Sequence, residues 1–150
     1  MRAIILAFAA AFPSIATAEA PVYNEEYTRS NCTAEWGTDY QMIEYCISQQ
    51  EKGFRKFEFM LVNFAEQMEY IGPSFDYCRE EWGQDWGMVS YCAENQAQGP
   101  RKVMDAIEGI PSGIANTIVS QCDSQWAPDY TMIAYCADRQ ATSWRRINGG

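Results

Sequence analysis

The sequence predicts an all-α protein: three tandem disulfide-stapled αα-hairpin repeats stacked in one small domain. Three observations carry that prediction. One cassette occurs three times, as CTAEWGTDYQMIEYC at 32–46, CREEWGQDWGMVSYC at 78–92 and CDSQWAPDYTMIAYC at 122–136. In every copy two cysteines stand seven residues either side of an aspartate. Downstream of each aspartate, apolar or small residues recur at steps of three and four, which is one face of an α-helix.

The elements follow in chain order. Residues 1–18, MRAIILAFAAAFPSIATA, read as a secretory signal peptide. Arg2 supplies the basic start, Ala3 to Phe12 a short apolar run, and Ala16-Thr17-Ala18 a small-residue cleavage site. The run is too short to span a bilayer as a helix, no cysteine at the cleavage site suggests a lipid anchor, and no second long apolar run follows. The remaining 132 of 150 residues suit one domain, 19–150, with repeats at about 24–70, 74–110 and 113–148. Removing Arg2 leaves 10 basic residues against 20 acidic ones. That balance disfavours nucleic acid and anionic lipid as general partners, since both need a positive field.

Aligned on its cysteines, the cassette is C-x3-W-x2-D-[YW]-x-M-x2-Y-C-x3-Q, at offsets of 46 and 44 residues. The first helix of each hairpin ends near Trp36, Trp82 or Trp126. A breaker follows: Gly37-Thr38, Gly83-Gln84 or Ala127-Pro128. Asp39, Asp85 and Asp129 then cap the second helix, their carboxylates accepting from backbone N–H groups of its first turn. Antiparallel helices bring equidistant residues level, so the spacing pairs Cys32 with Cys46, Cys78 with Cys92, and Cys122 with Cys136. Trp36 and Met42 are likewise equidistant, which places the Trp over the Met as core in each copy.

The second helix of the first hairpin continues through Met42, Cys46, Gly53, Phe57, Met60, Phe64 and Met68. That of the second runs through Met88, Cys92, Gly99, Val103, Ala106 and Ile110. Gly53 and Gly99 fall on the inward face, where a missing side chain admits another helix. Pro100 predicts a kink or split, and the alternative is a full break near Gly53 and Gly99. The first helices are expected to start near Asn24 and near Ser74, and the third carries Ile114, Ile118, Val119, Cys122 and Trp126 on one side. Tyr45, Tyr91 and Tyr135 lie about 100° off the inward face; packing between repeats is preferred for them over a binding surface. Gln50, Gln96 and Gln140 are expected to bond backbone carbonyls or each other.

This cassette resembles those of small exported bacterial proteins that are themselves uncharacterised. The resemblance covers the three cassettes and not the stretches between them. It implies export and a helical hairpin, and brings no catalytic residue, substrate or cofactor.

Function classes are narrowed mainly by what is missing. There is no histidine, so the common acyl-transfer triads are out of reach. No G-x-S-x-G, phosphate-cradling glycine loop or C-x-x-C occurs. Metal is disfavoured because the short ligand spacings are absent, and an exported chain with six cysteines favours disulfides. No cofactor is expected. The expectation is a non-catalytic periplasmic or secreted interaction or scaffolding module whose partner is a protein or an anionic envelope component. Its candidate surface is a basic ledge of three aligned pairs, Arg55-Lys56, Arg101-Lys102 and Arg145-Arg146. The alternative is a small-molecule binder with an aromatic groove. A carboxylate hydrolase using Glu35, Glu80 or Glu81 ranks last.

Overall fold

A computed structural model describes residues 20–149, so the expected signal peptide lies outside the described residues. Six helices account for most of them: α1 Glu25–Trp36, α2 Tyr40–Asn63, α3 Met68–Trp82, α4 Trp86–Ile107, α5 Ser112–Trp126 and α6 Tyr130–Ile147. A 3-10 turn, Ala65–Gln67, links α2 to α3, and no strand occurs among the described residues. The fold is the expected one, three αα-hairpins, each closed by its own disulfide.

The turns form as their residues dictate. Gly37 and Gly83 end α1 and α3 at φ 61° and 56°, a conformation that glycine adopts without steric cost. The third turn uses Ala127 followed by Pro128, across a cis peptide bond. Asp39 and Asp85 accept from the N–H groups of Met42 and Met88 at 3.1 Å, and Asp129 accepts from Thr131 and Met132 at 3.0 and 3.2 Å. Asn24 caps α1 through Tyr27 N–H at 2.9 Å. With both helices locked at the turn, the cysteines come level, at Cα separations of 5.8, 5.7 and 5.7 Å.

The hairpins stack through their second helices. α2 lies on α4 and α4 on α6, and these are the most extensive contacts in the protein, whereas α1, α3 and α5 barely touch one another. The result is a closed layer of three helices under a second layer whose members stand apart. Gly53 and Gly99 make the closed layer possible. A Cβ on Gly53 would collide with the Trp86 carbonyl and lie 2.7 Å from Gly87 N. One on Gly99 would strike the Tyr130 side chain and lie 2.9 Å from its carbonyl oxygen.

Two apolar clusters fill the two joints. Phe57, Met60, Ile71, Phe75, Cys78, Trp86, Val89 and Ala93 lie between the first and second hairpins. Val103, Ala106, Ile110, Ala115, Ile118, Cys122, Ile133, Ala134, Ala137 and Ala141 lie between the second and third.

Several expectations are corrected. α4 runs unbroken through Gly99 and Pro100, because the glycine is sealed against α6 and the layer holds the helix on both sides of the proline. α3 starts at Met68 rather than near Ser74, with Pro73 inside it. No glycine or proline stands between 64 and 67, so the chain reverses through a 3-10 turn and re-enters a helix at once. α2 accordingly ends at Asn63. Trp36, Trp82 and Trp126 are not core: they are 37, 39 and 41% exposed. Each is the last residue of its helix, and no neighbouring first helix comes close enough to cover it. Burial in α4 falls on Val89 and Ala93, one residue beyond Met88 and Cys92, because the closed layer rather than the hairpin partner sets the inward direction.

Candidate functional site

Keeping the first helices apart leaves a groove over each joint. The first groove, about 400 Å³, runs between α1 and the α3–α4 turn. Tyr27, Thr28, Asn31 and Glu35 of α1 form one wall, Glu80, Glu81 and Trp82 of α3 the other, and Cys46, Gln50 and Asp85 lie along the base. The second, about 380 Å³, has Tyr77, Glu81 and Trp82 on one side, Met88, Tyr91 and Cys92 of α4 below, and Asp129 and Thr131 beyond. The two are repeat equivalents, and Trp82 borders both.

At the base of each groove the joint is tied by a glutamine. Gln50 Nε2 donates to Asp85 Oδ1 at 3.0 Å, and its Oε1 accepts from Gly87 N–H at 3.3 Å. Gln96 Nε2 donates to Asp129 Oδ1 at 2.8 Å, and its Oε1 accepts from Tyr130 N–H at 2.7 Å. The expected partners, backbone carbonyls or other glutamines, are corrected: each amide grips the cap of the next repeat. Both halves of the amide are used, which suits a neutral donor–acceptor group at a carboxylate beside a backbone N–H. Gln140 has no following repeat and is exposed.

The two joints differ. In the second, Ser74 is buried and its Oγ donates to the Pro128 carbonyl at 2.6 Å. Thr28 is the equivalent residue in the first, equally buried, and its Oγ1 has no hydrogen-bond partner. The first joint is tied instead on its far side, by Lys56 Nζ to Glu94 at 2.7 Å.

Tyr45, Tyr91 and Tyr135 are 58, 61 and 60% exposed, which corrects the expectation that they pack between repeats. The second helices meet through the residues around Gly53 and Gly99, on another face of the helix. With the three tryptophans, these tyrosines set six aromatic side chains at the surface, spaced by the repeat. The burial of the Tyr77 phenol, followed by Asp129 and Glu81 nearby, raises its pKa above the usual tyrosine value.

The basic pairs have mixed environments. Arg145 turns inward, donating through Nη2 to the carbonyls of Ala106 and Glu108 at 2.9 and 2.8 Å, where it caps the end of α4. Lys56 ties the first joint to the second hairpin, and Arg101 stands 3.9 Å from Asp105. Arg55, Lys102 and Arg146 are exposed and form no ion pair among the described residues.

Comparison with protein-family models, with curated proteins and with solved structures finds no match. The chemistry therefore stands on the geometry. Among the described residues no three of Cys, Asp or Glu are grouped as metal ligands, and no helix is long and apolar enough to cross a membrane. All six cysteines are in disulfides, which fits an oxidising compartment. Glu35, Glu80 and Glu81 do meet, in the first groove. All three are exposed, so nothing buries one relative to another, the condition under which two carboxyls take different catalytic roles.

Proposed function

We propose that the protein is a non-catalytic interaction or scaffolding module of the periplasm or the secreted space. The observation that supports this reading best is the exposed aromatic row. Trp36, Trp82 and Trp126 with Tyr45, Tyr91 and Tyr135 stay at the surface in all three repeats, on hairpins that disulfides hold rigid. Tyr and Trp give large contact areas at small cost in side-chain entropy, and they dominate binding hot spots. A rigid scaffold that repeats them suits a protein or an envelope polymer that is itself extended. Arg55, Arg101, Lys102 and Arg146 remain a second candidate strip, for an anionic partner.

The test is affinity capture with the processed protein from its own cell envelope, read by mass spectrometry. A partner retained by the parent and lost on Tyr45→Ser, Tyr91→Ser and Tyr135→Ser together, with melting unchanged, supports the aromatic row. Loss instead on neutralising the basic pairs moves the contact to that strip. Absence of any partner for the parent removes the reading.

The second reading, a small-molecule binder, draws on the two grooves of about 400 and 380 Å³ with Tyr and Trp in their walls.

A further inference from the structure

We propose that the first inter-repeat groove binds an organic cation carrying N–H donors, an alkylammonium or guanidinium group. The proposal rests on the reading of the chain as a binding module and names the ligand chemistry of one face.

Its walls supply what such a group needs. Glu35, Glu80, Glu81 and Asp85 line the groove, and no Lys or Arg does among the described residues. Gln50 and the N–H of Met88 already occupy Oδ1 of Asp85, whereas Glu35, Glu80 and Glu81 have no hydrogen-bond or ion-pair partner among the described residues. Tyr27 and Trp82, partly exposed on opposite walls, offer ring faces to a cation, and indole is the most favourable face for one. The net charge of −9 adds a long-range field that concentrates cations.

Acidity alone would not make a site. The independent observation is Thr28, a residue of the groove lining that is 3% exposed and whose hydroxyl has no partner. A buried hydroxyl without a partner is destabilising unless a bound group satisfies it. In the second joint the same position is satisfied within the protein, by Ser74 on the Pro128 carbonyl. The glutamine clamp is also longer in the first joint, 3.0 and 3.3 Å against 2.8 and 2.7 Å. The first joint is therefore the one that is not closed on itself over the groove. An ammonium or guanidinium seated between the carboxylates has N–H groups to spare for the Thr28 oxygen.

Calorimetric titration of the processed protein with a tri-arginine peptide and, separately, with spermidine tests this. Saturable binding that weakens steeply with salt is expected from at least one of them. Preference for the peptide identifies side chains of a partner protein as the source; preference for spermidine identifies a free polyamine. Changing Glu35→Gln, Glu80→Gln and Glu81→Gln together should weaken binding about tenfold, since each exposed pair contributes about 0.5 kcal/mol. Changing Glu44→Gln, Glu58→Gln and Glu69→Gln, which lie outside the groove, should weaken it about twofold at most. Thr28→Val should weaken binding without lowering the melting temperature, because it removes a hydroxyl that has no partner. No binding of either cation, equal losses from the two triple variants, or unchanged affinity in Thr28→Val would overturn the proposal. The measurement uses defined cations, so its failure leaves the capture experiment on the tyrosines standing, and the converse holds as well.

Discussion

Asp39, Asp85 and Asp129 occupy the same cassette position and make the same cap, yet the stack gives them different work. Asp39 only caps α2, whereas Asp85 and Asp129 also accept from the glutamine of the preceding repeat. Asp39→Ala should cost about 1 kcal/mol, and Asp85→Ala or Asp129→Ala about 2 kcal/mol, in denaturant unfolding. Equal losses at all three would show that the glutamine clamp adds nothing. Two tyrosines make a second residue-scale case. Burial, then Asp129 and Glu81, raise the pKa of Tyr77; burial, then Asp123 and Tyr70, raise that of Tyr130. A raised value means that the fold favours the neutral phenol. The associated stability is complete below the ordinary tyrosine value of about 10 and is lost as pH rises through the shifted values. Absorbance titration should show two of the nine tyrosines ionising after the rest, and Tyr77→Phe should remove one of the two.

At the scale of elements, the second helices carry the fold and the first helices are attached to them. α1 buries only Thr28 and Cys32 and packs on α2 alone. Its backbone amides should exchange with solvent faster than those of α4, which is packed on α2, α3 and α6. The staple holds α1 in place, so replacing Cys32 and Cys46 with serine should cost about 3 kcal/mol and expose α1 preferentially. Hydrogen exchange read by mass spectrometry checks both. The glycine contacts belong to this scale too. Gly53→Ala and Gly99→Ala put a methyl into backbone contact distance across a joint and should destabilise by about 3 kcal/mol. Gly113→Ala on α5, where the added methyl meets open space, should be neutral or slightly stabilising.

For the whole molecule, the ends of the stack are chemically distinct from its joints. Tyr40 and Trp86 are repeat equivalents, one 78% exposed and the other 3%, because only Trp86 has a preceding hairpin to cover it. At the other end Gln140 is exposed, and Ser143 stands where Gly53 and Gly99 stand in the joints. A fourth hairpin, or a second copy docked in the same manner, would meet the Ser143 side chain where backbone must approach. Light scattering should therefore report no head-to-tail association for the parent protein, and Ser143→Gly is the substitution that should permit it. Association of the parent through these ends would show that a serine is tolerated at the joint.

What the sequence determined by itself is whatever depends on near neighbours in the chain. The caps at Asp39, Asp85 and Asp129, the turns at Gly37 and Gly83 and the three cysteine pairs follow from spacing alone, since a hairpin with a tight turn fixes its own register. The inward position of Gly53 and Gly99 was legible for the same reason. The tertiary structure alone decided which face of each helix is covered, because that depends on how one hairpin leans on the next. It put the second helices in contact and held the first helices apart. That arrangement left the tryptophans and tyrosines at the surface, sent Gln50 and Gln96 to the next repeat's cap, and turned Arg145 onto the end of α4. It also gathered Glu35 with Glu80 and Glu81 around the first groove, from helices that the sequence separates by more than a whole hairpin.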